Sequence, residues 1–254
     1  MIEEESAIEI IDLKKSFTPG DYVLDGINLK VPKGKITVII GFSGTGKSVL
    51  LKHILGLLKP TSGTIKILGK DIAKMNDEER VRARRHFGML FQYAALFDDM
   101  TVLGNVEFPL KEHRRDLSKK QITEIAFAKL KQSGLEEKHY NKLPGEVSGG
   151  MRKRCGLARA LALDPDILVY DEPTTGLDPI LTEMVDNLIL DTHNHNEESS
   201  TLVVSHDLHA AFRIGEYVAM LDSGKVLLHG TPQTFLESDN PLVSRFVDKG
   251  VRKS

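Results

Sequence analysis

The chain has a single cysteine, Cys155, so no intramolecular disulfide can form, and a reducing compartment is compatible with its composition. It also has no apolar run approaching the roughly 20 residues needed to span a bilayer, so a membrane role has to come through a partner. An excess of one charge is missing too. There are 34 basic and 36 acidic residues, for a net charge of −2, and no strongly basic field is available to attract nucleic acid. The acidic opening MIEEES is followed by no apolar stretch and is expected not to be a secretory signal. Internal repeats and low-complexity tracts are absent as well. What is present is 254 residues, 41% hydrophobic and 28% charged. That is enough chain for a substantial core, in one large domain or two intimately joined lobes.

Hydrophobic period places the elements. AIEIIDL (7–13) and GINLKV (26–31) read as strands around the turn-rich TPGD (18–21). KITVII (35–40) is a β-branched run ending at Gly41, as a buried strand should. SVLLKHILGLL (48–58) has helical spacing and is expected to stop at KPTSG (59–63). GTIKILG (63–69) is a further strand, and NDEERVRARRHFGML (76–90) a charged helix leading into a strand. Residues 93–160 are mostly helical, with the stretch 116–135 clearly amphipathic. DILVYDE (166–172), STLVVSHD (200–207) and YVAMLDSGKVLLHG (217–230) return to strands. HNHNEESS (193–200) is a polar loop. The tail after Gly230 is expected to form one or two small helices ending in a solvated RKS, with no large regulatory module.

Three stretches carry chemistry. GFSGTGKS (41–48) fits G-x-x-x-x-G-K-[ST], with a strand before it and a helix after it. Gly41, Gly44 and Gly46 let the backbone turn tightly and aim its N–H groups inward as an anion nest. The helix starting near Lys47 adds its positive end. Lys47 can reach the β and γ phosphates, and Ser48 can ligate Mg²⁺. Phe42, Ser43, Thr45 and Val49 complete the expected nucleotide-contacting set. In DILVYDEPTTGLDP (166–179), four apolar residues lead to Asp171, which suits a buried strand ending in a Mg²⁺-linked carboxylate. Glu172 follows, and a second carboxylate beside a phosphate site has an obvious task in orienting an attacking water. Its bland alternative is a turn cap before Pro173. In VSGGMRKRCGLARALALDP (147–165), Ser148, Gly149 and Gly150 precede a helix, which makes a second anion site or, more plainly, a serine N-cap.

GFSGTGKS, Gln92, VSGGM, DILVYDEPTTGLD and His206 occur in the order and spacing of ATP-binding cassette (ABC) ATPases, which the chain resembles over nearly its whole length. The resemblance implies an α/β fold: a RecA-like P-loop core with an N-terminal antiparallel β-subdomain and an inserted α-helical subdomain. In domain terms, 1–92 and 161–230 form the β-subdomain and core, 93–160 the helical signature lobe and 231–254 a short tail. It further implies ATP and Mg²⁺ as cofactors and a homodimer in the ATP state, the P-loop of one copy facing the SGG of the other. Gln92 becomes the residue that touches Mg²⁺ or water and links to a permease. Asp178 lies in the GLD loop, and His206 is the switch histidine near the γ-phosphate. The expected metal ligands are Ser48, Gln92 and Asp171, and the expected catalytic set is Glu172, His206 and Gln92. Phe17 stands where the family's adenine-stacking aromatic does, with Tyr22 as the alternative. The sequence departs from the usual LSGGQ at Val147 and Met151, while Ser148, Gly149 and Gly150 are intact.

Within the family, LFQYAALFDDMTVLGNVEFPLKEH (90–113) and 148–180 resemble the Mla-type ATPases. That implies a permease partner, an MCE-domain lipid-binding protein in the same complex, phospholipid movement between inner and outer membranes, and a peripheral place on the cytoplasmic face of the inner membrane. The alternatives are an amino-acid or metal-type importer ATPase, or a non-transport cassette of cell division, ribosome or DNA work. The cluster Leu96, Phe97, Met100, Val102, Val106 and Phe108 is expected to divide between the helical core and a groove for a short permease helix.

Overall fold

The computed structural model describes residues 5–196 and 198–250. The acidic start and the RKS end of the sequence lie outside the described residues. In chain order the elements are β1 (Ser6–Thr18), β2 (Asp21–Pro32), β3 (Ile36–Ile40), α1 (Lys47–Ile54), β4 (Ser62–Ile67), β5 (Lys70–Asp71), α2 (Asp77–Arg84), β6 (Phe87–Leu90), α3 (Val102–His113), α4 (Lys119–Gln132), α5 (Gly149–Leu161), β7 (Ile167–Asp171), α6 (Pro179–Asn194), β8 (Ser200–Ser205), α7 (Leu208–Ile214), β9 (Tyr217–Asp222), β10 (Lys225–Gly230), α8 (Pro232–Leu236) and α9 (Pro241–Gly250). The chain divides into two compact units, one of residues 1–84 with 193–254 and the other of residues 85–192.

The first unit holds two sheet regions. One is antiparallel, in the order β2-β1-β4-β5. In the other, β3 pairs in parallel with β8 on one side and β9 on the other, and β10 closes the edge antiparallel to β9. All five residues of β3 are buried, as its unbroken β-branched run requires of a central parallel strand. Helix α1 ends earlier than its apolar spacing suggests. Gly56 takes a left-handed φ of 64°, its N–H bonds His53 O, and Leu57 N–H reaches back to Lys52 O at 2.8 Å. That is a Schellman stop, so Gly56 rather than KPTSG ends the helix. α2 buries no residue, in keeping with its charged sequence.

The second unit pairs β6 and β7 in parallel, with Leu90 opposite Tyr170. Its helical core packs Val102, Val106 and Leu110 of α3 against Ile122, Ala126 and Leu130 of α4 and Cys155 and Ala158 of α5. α4 opens on a capping box in which Ser118 and Gln121 satisfy each other's backbone N–H groups. Cys155 is buried, its thiol pushed up to about 12 by desolvation and donating to Val102 O at 3.5 Å. The lobe expected at 93–160 lies wholly within this unit, which also contains β6, β7 and most of α6.

Candidate nucleotide site

In the first unit, the loop 41–48 leaves the C-terminal end of β3. Parallel pairing sets Ile40 opposite Ser205, so Gly41 and His206 emerge from adjacent strand ends. Ligands of open α/β sheets bind at this edge. Gly44 and Gly46 have φ of 83° and 100°, which L-residues rarely adopt. Thr45 Oγ1 donates to Phe42 O at 2.9 Å and holds the turn. Lys47 is buried, and its ammonium donates to the carbonyls of Gly41 at 2.7 Å and Phe42 at 3.0 Å. The loop's cation is therefore held within the loop's own backbone. Gly46 also lets the backbone of β2 approach, since a Cβ there would stand 3.1 Å from Val23 O. The exposed ring of Phe42 meets Phe246 of α9 edge-on at 5.1 Å. Ser48 is exposed and Val49 half-buried.

His206 is exposed. Its neighbour Asp207 caps α7 by accepting from His209 N–H at 2.9 Å, and Ser205 Oγ accepts from Asp207 N–H. Phe17 lies near the tip of the β1–β2 hairpin, 61% exposed, with the Lys15 ammonium 5.0 Å from its ring. Tyr22, on the facing strand, is also exposed and lies under Lys14. Both aromatics are exposed, each with a lysine ammonium over its ring.

In the second unit, Asp171 is the last residue of β7 and Gln92 follows β6, so these too leave adjacent parallel strand ends. Glu172 turns the chain with a left-handed φ of 48°, and its Oε2 accepts from Thr175 Oγ1 at 2.9 Å. Asp178 accepts from Leu181 N–H at 3.0 Å and so caps α6. Ser148 caps α5 through Met151 N–H at 3.3 Å, while Ser148 and Gly149 stand exposed. The plain N-cap role considered for Ser148 is thus real, and it leaves the helix N-terminus open. One cavity of about 700 Å³ brings together Gln92, the signature residues 148–150 and the Thr175–Leu177 loop. Tyr93 and Met151, which sequence reasoning did not assign to the site, line it as well. The Tyr93 ring is 81% exposed, and its hydroxyl accepts from Gln92 Nε2 at 3.3 Å.

The chain is similar to known proteins over most of its length. The family described as ABC transporter matches residues 24–175. The chain belongs to the ABC transporter family. A Mycobacterium leprae protein named as a probable ribonucleotide transport ATP-binding protein is 42% identical over 95% of this chain and 69% of its own. Further mycobacterial relatives are covered over 66% of their length, so the chain spans about two thirds of them. A Haemophilus influenzae protein named as an intermembrane phospholipid transport system ATP-binding protein is 41% identical over 96% of this chain and 90% of its own. Among solved structures, a dimeric ATP-binding cassette in a post-hydrolysis state with ADP and phosphate is 33% identical, covers 88% of this chain and 98% of its own, and superposes with a TM-score of 0.78. The α/β ABC ATPase fold and an ATP-hydrolysing activity follow from that membership. Gly44 has open space where a Cβ would stand, so its left-handed backbone, not packing, is what requires glycine there.

Proposed function

We propose that this chain is the ATP-hydrolysing subunit of an ABC transporter that moves phospholipid between membranes. In the first unit, the backbone N–H groups of residues 41–48 and Lys47 hold the phosphates, Phe17 or Tyr22 stacks on adenine, and His206 meets the γ-phosphate. In the second unit, Glu172 orients the attacking water and takes its proton. The new bond forms at the γ-phosphorus, the bond to the β–γ bridging oxygen breaks, and ADP and phosphate leave. Ser48 in the first unit, and Asp171 and the amide oxygen of Gln92 in the second, are hard oxygen donors of the kind that would suit Mg²⁺. When bound, that ion neutralises the charge developing on the phosphates.

The observation that carries the reading is the thirteen-residue helix α5 with Ser148, Gly149 and Gly150 at its open N-terminus. It is a ready anion site that a second copy's nucleotide can fill, which fits a homodimer closing on ATP. No helix among the described residues is long and apolar enough to cross a membrane. In this reading a permease partner, with an MCE-domain lipid-binding protein in the same complex, carries the cargo path. The chain itself works at the cytoplasmic face of the inner membrane. Phospholipid is favoured over the ribonucleotide of the mycobacterial names because the match extends over 90% of the Haemophilus phospholipid-transport relative.

Glu172→Gln and Ser148→Arg test this in the full chain, alone and with its permease. Glu172→Gln lowers hydrolysis by about 10²-fold or more, keeps ATP binding and locks an ATP-bound pair on sizing chromatography. Ser148→Arg keeps ATP binding and loses hydrolysis. Loss of ATP binding by isolated Ser148→Arg protein refutes the shared-site arrangement, and full turnover in Glu172→Gln refutes the assigned base.

A further inference from the structure

Helix α5 carries four basic residues that donate to backbone carbonyls of other segments. Arg152 holds Val147 O at 2.9 Å and Arg154 holds Ser133 O at 2.8 Å, while Arg159 reaches Ala94 O and Ala95 O at 2.7 and 2.8 Å. All of these arginines remain partly solvated. Lys153 differs. It falls on the apolar stripe of the helix with Leu157 and Leu161, all three of them buried. Its ammonium donates to the carbonyl of Pro173. A lysine is rarely buried without a partner, and desolvation here pushes its pKa below the ordinary value.

The recipient is informative. Proline has no N–H, so its carbonyl is the one backbone group Pro173 offers, and Pro173 is buried. The residue before it is Glu172, held in the left-handed region with its carboxylate on Thr175. The lysine therefore grips the chain one residue beyond the carboxylate, at the turn that aims it. Ser148 caps the same helix, five residues before Lys153.

We propose that Lys153 is a positioning residue that ties the signature helix to the Glu172 turn through the Pro173 carbonyl, so that engagement of Ser148 by the partner copy's ATP sets the aim of the carboxylate acting on this chain's own ATP. The inference rests on the assignment of Glu172 as the base that orients water. Lys153 touches neither nucleotide nor water in this scheme. Its effect appears in turnover and leaves nucleotide affinity alone.

The experiment compares Lys153→Met, Lys153→Arg and Glu172→Gln with the parent in the full chain, with and without its permease. Steady-state hydrolysis is measured against ATP concentration, with thermal unfolding and nucleotide binding alongside. Methionine fills the buried stem and removes the charge, so the fold is expected to hold. Lys153→Met lowers kcat by about tenfold or more, the scale set by misaiming a reacting group, with KM and the thermal midpoint near the parent. Lys153→Arg keeps the cation and its donors and restores most of the turnover. If Lys153→Met turns over within about twofold of the parent while Glu172→Gln is silent, the positioning role is wrong and the base assignment stands. If turnover, ATP affinity and thermal stability all fall together, Lys153 is structural and the proposal also fails. Full activity in Glu172→Gln is a separate result that removes the base itself, and the inference with it.

Discussion

Gly41, Gly44 and Gly46 occupy one loop for three different physical reasons, and alanine at each separates them. Gly41 has no positive φ, but a Cβ there would lie 2.5 Å from Leu221 O of β9 and 2.8 Å from Thr45 Oγ1. The nearest obstacle is strand backbone, which cannot swing aside, so Gly41→Ala is an overpacking change of about 2–3 kcal/mol. Gly44 has φ of 83° and nothing within 4 Å of an added Cβ. Alanine there meets only the left-handed penalty of about 1–2 kcal/mol. Because Gly44 is exposed, the free loop can relax to negative φ and shed most of that cost. The cost then returns on binding, when the nest must reform, and lowers ATP affinity about tenfold. Gly46 combines both effects, with φ of 100° and a Cβ 2.8 Å from Leu24 Cδ2 and 3.1 Å from Val23 O. Gly46→Ala is expected to cost about 3 kcal/mol or more. Urea unfolding of the nucleotide-free chain gives the stability order, provided the m-value stays constant. A fluorescent nucleotide titration gives the affinities. The expected pattern is weakened binding in all three and lost stability in Gly41→Ala and Gly46→Ala only. A Gly44→Ala protein as unstable as Gly41→Ala, or one that binds ATP like the parent, refutes the division.

Phe97 is 40% exposed, with its ring 4.8 Å from Phe108 and the Arg159 guanidinium 5.8 Å away. Phe97→Asp is expected to lower stability by about 1–2 kcal/mol and keep ATP binding while permease co-purification fails; retained co-purification with transport excludes Phe97 from the docking surface. His53 and His229 are both held neutral by burial, their pKa values below the ordinary histidine range. The unfolded chain takes up protons as pH falls below about 6.5 and the folded one resists, so the stability they contribute is full above that pH and is lost below it, down to the folded values. Thermal midpoints of the parent should drop as pH falls below about 6.5, and His53→Leu with His229→Leu should flatten that slope; an unchanged slope assigns the acid sensitivity to other groups.

Much of the fold was legible because period and punctuation agreed. β3 is a β-branched run ended by glycine and α4 an amphipathic stripe, and each took its expected place; the Ser118–Gln121 capping box that opens α4 was there to read but went unused. The end of α1 was misread because apolar spacing continues through Leu58, while the decisive event is one left-handed glycine inside that pattern. The apolar cluster after Gln92 divides by exposure, and Phe97 is the member expected on the groove side. Val102 and Val106 are fully buried, Leu96 packs beside them, and Phe97 stays half out. Spacing along one segment cannot decide this, because α4 and α5, far along the chain, determine which side is covered. Lys153 was read past as one of several charges in MRKR. The available signal was its register, four residues before Leu157 and eight before Leu161 on an otherwise apolar stripe.

The candidate residues were easier to find than their supports, and there is a physical reason. In the first unit the phosphate loop and His206 leave β3 and β8 at paired ends; in the second, Gln92 and Asp171–Glu172 leave β6 and β7 in the same way. A parallel strand is a buried apolar run, so its end is the first point where polar chemistry can appear, and the run itself marks the place in the sequence. Supports obey no such rule. The Thr175 hydroxyl on Glu172, the Asp207 cap beside His206 and the Lys153 grip on Pro173 depend on side chains reaching particular backbone atoms. Two of these contacts span only two or three residues, whereas Lys153 reaches across twenty. The long-range contact is the one that sequence alone conceals, and it is also the one that joins α5 to the Glu172 turn, which is why the proposed coupling is placed on it.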